Sequence, residues 1–186
     1  MKYPFSKIKL RHTEDIPLTE EEFLKKRRGE ILHLTLSFIT YKEDFQNVFS
    51  YLEKALSFFG ERKELWDIEE DLLPTLKSVF SLKESELFFP SLNSPLALFV
   101  KVLKERNFFA GGRVFRPDRV VIYPEKAVVV DFKSHLPDSE IQKTQAAQVE
   151  GYCRIVSKVY KRPAEGYLLY LQPLTLKKIA SLDENG

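Results

Sequence analysis

The chain has 186 residues, with 29 basic against 27 acidic side chains for a net charge of +2, and it is 44% hydrophobic and 13% aromatic. That fits one compact domain with a sizeable core and excludes a disordered polyelectrolyte; so even a charge balance also gives no general attraction to a polyanion. Cys153 is the only cysteine, which excludes a disulfide framework and any four-cysteine zinc or iron–sulfur site within the chain. No apolar run approaches the roughly 20 residues of a membrane helix, and Met1-Lys2-Tyr3-Pro4-Phe5 opens no apolar signal core. The expectation is a soluble, cytoplasmic protein with no membrane partner.

Residues 1 to 17 show no period and read as a lead-in. Thr19-Glu20-Glu21-Glu22 is a capping box, so a helix is predicted from there to about Thr40. Gly29 lies inside it, where glycine costs up to ~1 kcal/mol relative to alanine, one turn before His33 on the same face. Close approach of a strand or a substrate toward the imidazole would compensate. A lone helical histidine is most simply a hydrogen-bonded core or surface residue, so His33 needs further groups around it to be a ligand. Lys25-Lys26-Arg27-Arg28 reads as a solvated face or as phosphate contact. From Tyr41 to Leu82 the apolar residues recur at helical steps, with Gly60 as a C-cap and Pro74 as a break; these stripes read as core.

Glu86-Leu87-Phe88-Phe89-Pro90 predicts a short strand, and Pro95 through Arg106 a short helix. Gly111-Gly112 then resets the chain into a strand that carries Arg113, Arg116 and Arg119, read either as surface residues or as phosphate contacts. The β-branched runs Val120 to Tyr123 and Ala127 to Phe132 around Pro124-Glu125-Lys126 predict a hairpin. If Pro124 pairs with Glu125, or the register shifts by two, Asp118 lies opposite or diagonal to Asp131, with Lys133 beside it. Opposed Cβ atoms are about 4.5–5.5 Å apart. Two carboxylates that close raise one pKa unless a cation intervenes, and a divalent metal removes the conflict. A structural salt-bridge cluster of Asp118, Asp131 and Lys133 is the alternative. Both hairpin faces are otherwise apolar, as in sheets covered on two sides.

After a loop at Ser134 to Pro137, a helix is predicted from Asp138 or Ser139 to about Tyr160. Ile141, Gln145, Gln148, Tyr152, Ile155, Val156 and Val159 share one stripe, which turns two glutamines and a tyrosine toward the sheet. Gly166 to Leu171 is a further buried strand, reached by a right-handed crossover and paired in parallel. The tail after Pro173 carries Lys177 and Lys178 and frays at Asp183-Glu184.

Pro117-Asp118 followed by Asp131-Phe132-Lys133 resembles the PD-(D/E)xK nuclease signature. Gly29-x-x-x-His33 on an N-terminal helix and Gln148-Val149-Glu150-Gly151-Tyr152 after the hairpin are similar to motifs of its RecB-like branch, in the same order. The resemblance implies an α/β, restriction-endonuclease-like mixed central sheet, a β-hairpin plus a β-α-β crossover, flanked by helices. It implies a single domain over residues 1–186, with a helical N-terminal part at about 19–82 and a catalytic core at about 84–172. The function implied is a magnesium- or manganese-dependent DNA nuclease of the RecB/AddA type, hydrolysing phosphodiesters in DNA end processing, recombination or repair with a helicase.

By the same resemblance His33, Asp118, Asp131 and the Phe132 backbone carbonyl would hold the metal. Lys133 would orient or deprotonate the attacking water or stabilise the transition state, and Gln148 and Tyr152 would support the arrangement. Arg28, Arg116 and Arg119 are candidates for substrate binding, and Glu86 resembles an accessory acid. Iron–sulfur members of the group need four cysteines, so the cluster-free branch is implied. No Walker A sequence is present, so a motor would be another domain or subunit. A structure-specific endonuclease, or a non-catalytic DNA-binding or scaffolding member of the same fold, are the alternatives.

Overall fold

The computed structural model describes residues 19–183; the lead-in read over residues 1 to 17 and the acidic end from Glu184 lie outside them. Helix α1 (Glu20–Phe38) opens on the predicted capping box: the Thr19 hydroxyl accepts from the Glu22 amide, and the Glu22 carboxylate accepts from the Thr19 amide at 2.9 Å. A 3-10 turn (Lys42–Asn47) leads into α2 (Val48–Phe58), which ends where Gly60 takes φ 69°. A π-turn (Ile68–Leu72) runs directly into α3 (Leu73–Ser81), with Pro74 just after the junction. The chain continues through α4 (Ser85–Phe88), β1 (Lys101–Lys104), β2 (Phe108–Ala110), β3 (Arg113–Phe115), β4 (Arg119–Ile122), β5 (Ala127–Lys133), α5 (Ser139–Tyr160), β6 (Ala164–Leu171) and β7 (Leu174–Leu182).

The protein is therefore mixed α/β. Five strands form one sheet in the order β1-β4-β5-β6-β7, and β2 and β3 form a separate two-stranded sheet. Strand β5 runs parallel to β6 across the α5 crossover, and the other neighbours pair antiparallel. The hairpin takes the first of the predicted registers, with Ile122 opposite Ala127 and Arg119 opposite Val130. One further step puts Asp118 opposite Asp131.

The sheet separates two apolar layers, as the doubly apolar hairpin requires. Val121, Val128, Val130 and Phe132 pack against Ile31, Leu32 and Leu36 of α1 and the helices that follow. Val120, Ile122 and Val129 pack against Val149, Cys153 and Val156 of α5. Helix α5 seats closely because β6 has no side chain at Gly166: a Cβ there would lie 2.6 Å from Cys153 Sγ and 2.7 Å from Val149 Cγ1. Among the described residues no helix is long and apolar enough to cross a membrane.

Several expectations change. The segment Pro95 to Arg106 is not a helix: after a 3-10 turn at Ala97–Phe99 it becomes β1. The β-prone Val102 and Leu103 complete the ladder that β4 would otherwise leave open, and those bonds outweigh the helical start at Pro95. The strand predicted from Glu86 is the short helix α4, whose end buries the successive residues Phe88 and Phe89 together. The tail after Pro173 is strand β7, hidden in the sequence by Lys177 and Lys178, whose charges suit an exposed edge strand. On α5 the seated residues are Val149, Tyr152, Cys153 and Val156, while Ile141, Val159 and, against expectation, Gln148 are exposed.

Candidate active site

The site lies where β1, β4 and β5 end beneath α1 and α5. Lys104 pairs with Arg119 across β1 and β4, so the next step sets Glu105 opposite Asp118, and the Glu105 amide donates to the Asp118 carbonyl at 3.0 Å. Together with the hairpin register this makes one row of three acids: Glu105, Asp118 and Asp131. Glu105 has φ 49°, a left-handed conformation uncommon for a residue with a side chain. Such strain persists only where the surroundings hold it and is concentrated at functional sites.

His33 comes to this row from α1. Its Nε2 lies 3.0 Å from Asp118 Oδ2 and 3.7 Å from Glu105 Oε1. One potential ligand atom from each of His33, Glu105 and Asp118 falls within 4.8 Å of the others. Gly29 explains how the helix gets so close, since a Cβ there would meet Ser134 Cβ at 2.4 Å. The bare backbone admits the chain leaving β5, which is the close approach expected one turn before the histidine. The His33 ring then stands edge-on to Phe132, centroids 6.1 Å apart.

Asp118 is held by the hairpin itself, its Oδ2 accepting from the Phe132 amide at 2.7 Å. Asp131 is 2% exposed. Lys133 Nζ lies 2.7 Å from Asp131 Oδ2, yet without hydrogen-bonding geometry, so this buried oxygen has no hydrogen-bond partner. From α5, Gln148 Nε2 donates to the Tyr152 hydroxyl at 2.8 Å. Gln145 accepts from the Tyr170 hydroxyl at 2.9 Å. A cleft of about 370 Å³ opens over Lys26, His33, Asp118, Phe132 and Lys133.

Burial and crowded carboxylates shift four of these groups. Burial and the Asp118 charge push the Asp131 carboxyl up to about 6, against the opposing pull of Lys133. Burial and Asp118 likewise raise Glu105. At His33 burial disfavours the charged ring, but the Asp118 hydrogen bond and the fields of Asp118, Glu105 and Asp131 outweigh it and hold its pKa above the ordinary value. Burial, then Asp131 and Asp118, push the Tyr152 hydroxyl up to about 12. The whole group is short of positive charge. The His33 imidazole with the carboxylates of Glu105 and Asp118, and Asp131 beside them, form a donor set that fits a hard divalent cation such as magnesium or manganese.

Other candidates lie elsewhere. Glu86 is not at the site: its carboxylate takes Lys42 at 2.6 Å, and its carbonyl accepts from Tyr123 at the turn end of the hairpin, away from the acids. Arg119 is not a phosphate contact. It is 1% exposed, on the face opposite Asp118, and donates to the carbonyls of Leu36, Ile39, Thr40 and Phe88 while lying 4.3 Å from the Phe89 ring centroid. It closes the C-terminal end of α1, where carbonyls lack intrahelical donors, and burial draws its pKa down to about 9.

Arg28 is engaged by both Asp71 oxygens, at 2.7 and 2.5 Å, and by Thr75, so its guanidinium is not free for substrate. Arg116 alone of the three arginines stands at the site, exposed and 3.3 Å from Glu105. Glu105 itself escaped sequence reasoning because Lys104-Glu105-Arg106 looked like a helix end. Only the pairing of β1 with β4 reveals it.

No family model and no curated protein matches the chain. A solved structure described as "Crystal structure of SSO0001" is similar at 19% identity over 90% of this chain and 81% of that one, with a TM-score of 0.29, a level that carries no argument about fold or function.

Proposed function

We propose that this chain is a metal-dependent deoxyribonuclease of the PD-(D/E)xK, RecB-like kind, with the restriction-endonuclease-like arrangement of hairpin and crossover. One observation carries the reading. Donors from three separate segments, His33 on α1, Glu105 after β1 and Asp118 before β4, converge within 4.8 Å of one another, and the next acid of the row, Asp131 on β5, is buried against Lys133 beside an open cleft lined by His33, Asp118 and Lys133.

In this reading His33, Glu105, Asp118 and Asp131 hold magnesium or manganese, with the Phe132 carbonyl as the further ligand that the resemblance implies. When bound, such an ion supplies Lewis-acid stabilisation of phosphate charge and a bound water of lowered pKa. Lys133 presents its ammonium to the phosphoryl oxygens as water adds to phosphorus and the bond to the leaving oxygen breaks. Asp118 is locked by the Phe132 amide and His33 by Asp118, so both side chains are positioned before substrate arrives. The Gln148–Tyr152 pair fixes the α5 side of the site, and Arg116 offers a rim cation to a neighbouring phosphate. The substrate is DNA, and the motor partner, in the same polypeptide or another subunit, is a helicase.

The test is cleavage of end-labelled single- and double-stranded DNA and of a closed circle, with manganese and with chelator. Wild type is expected to cleave only with metal, and Asp118→Ala and Lys133→Ala to lose on the order of a thousandfold or more with unchanged circular dichroism. Wild-type cleavage by either variant would overturn the site. Calorimetry should also show weaker manganese binding in His33→Ala; unchanged binding removes His33 from the ligand set.

A further inference from the structure

The chain between two of the site acids, Glu105 and Asp118, is the β2–β3 hairpin, so its base is fixed at the cleft. Phe108 pairs with Phe115, Phe109 with Val114 and Ala110 with Arg113. Gly111 and Gly112 close the turn with φ 55° and 72°, the positive values a two-residue hairpin loop requires. The inner pair packs on α5: Phe108 stands edge-on to Tyr160 and Phe115 edge-on to Tyr152, each at 6.5 Å. The outer pair meets solvent, with Phe109 78% and Val114 59% exposed.

An aromatic ring left outward on a three-residue strand adds nothing to the packing of this chain. Its surroundings point to what it serves. From residue 106 to 117 the sequence carries Arg106, Arg113 and Arg116, all exposed, and no acid, in a protein whose net charge is only +2. A π face on a hairpin whose flanking charges are all guanidinium groups, with Arg113 on the face opposite Phe109, suits a strand of nucleic acid whose bases stack while its phosphates are neutralised. A duplex hides its base faces except at an end.

We propose that the β2–β3 hairpin is a platform for unpaired nucleic acid, with Phe109 stacking on a base and Arg106, Arg113 and Arg116 following the backbone toward the cleft. The substrate is therefore single-stranded, or frayed, where it crosses the hairpin. This rests on the nuclease reading for its relation to the chemistry. The contact of Phe115 with Tyr152 ties the platform to the residue that Gln148 holds.

Binding is measured without metal, so that no cleavage intervenes, by anisotropy of a labelled oligothymidylate and of a blunt duplex closed by a loop. Wild type should prefer the single strand. Phe109→Ala should weaken that binding roughly tenfold, as the loss of one stacked base does, and Phe109→Trp should restore it. Leu98→Ala removes a residue 93% exposed at the opposite end of β1 and should bind as wild type. Wild-type affinity in Phe109→Ala, or a preference for duplex, overturns the proposal and leaves the aromatic face to a protein partner. Manganese-dependent hydrolysis of bis(p-nitrophenyl) phosphate, which has no base to stack, judges the nuclease reading separately. Its absence in wild type, beside Phe109-dependent binding, would sink the chemistry and keep the platform.

Discussion

Glu165 and Asp131 sit on adjacent strands of one sheet and are built in opposite ways. Glu165, near the turn end, receives Lys126 at 3.0 Å, Lys178 at 2.9 Å and the Tyr167 hydroxyl at 3.0 Å. Burial works to raise its pKa, but those hydrogen bonds reverse the effect and bring it down to about 2. Asp131, at the cleft end, keeps an oxygen without a hydrogen-bond partner, and burial with the Asp118 charge drives it up to about 6. A structural ion-pair cluster looks like Glu165. At the acid row each carboxylate has a basic neighbour, Arg116 at Glu105, His33 at Asp118 and Lys133 at Asp131, yet burial and mutual repulsion outweigh them at Glu105 and Asp131, whose pKa values rise instead of falling.

The two carboxylates thus link to pH with opposite signs. Glu165 contributes stability that is present above its ordinary value of 4.5 and lost as pH falls toward 2. Asp131 contributes stability that is present below 3.8 and lost as pH rises through 6. The largest effect is expected of Asp131→Asn. It should reduce metal-dependent cleavage on the order of a thousandfold, yet stabilise the metal-free protein at pH 7 by about 1–3 kcal/mol. It should also flatten the fall in stability between pH 4 and 6. Urea denaturation in chelator reads both effects, and a variant no more stable than wild type at pH 7 would mean the carboxylate is satisfied after all.

Arg119→Met keeps length and apolar volume but removes the donors for carbonyls at the end of α1. A loss of about 2–4 kcal/mol is expected in chemical denaturation; under about 1 kcal/mol, the arginine would be replaceable and the helix end satisfied otherwise. Gly29→Ala should cost about 1–3 kcal/mol by overpacking and, by displacing Ser134 and with it Lys133, reduce cleavage roughly tenfold. Adding Ser134→Gly should recover most of both losses, since the clash is with the Ser134 Cβ. The smallest effect belongs to Glu165→Gln, about 1 kcal/mol or less at pH 7, with the gap closing as pH falls from 4.5 toward 2. A gap that widens in acid would reverse the assignment.

Legibility followed distance along the chain. The capping box at Thr19 and the hairpin around Pro124-Glu125-Lys126 act within a few residues and stand where the pattern put them, and Gly60 ends α2 one residue past its C-cap at Phe59. Either register the hairpin turn allows, Pro124 with Glu125 or a shift by two, keeps Asp118 on one face with Asp131, opposite or diagonal, because the period is two, and the structure takes the first. Composition was the weaker guide. Arginines preceding and following Pro117-Asp118 look alike in the sequence, yet Arg116 is exposed beside Glu105 and Arg119 is in the core.

By itself, then, the amino-acid order determined the local elements and, through them, the pair Asp118 and Asp131 with Lys133 two residues on. It determined Gly29 and His33 on one helical face as well. Tertiary structure alone decided that Glu105 completes the row, that Arg119 turns inward while Arg28 goes to Asp71, and that Leu174–Leu182 forms an edge strand. Periodicity says which way a side chain points from its own helix or strand. What it meets there depends on which distant segment packs opposite, and here that is set by the pairing of β1 with β4, the bare backbone at Gly29 and the open edge of β6.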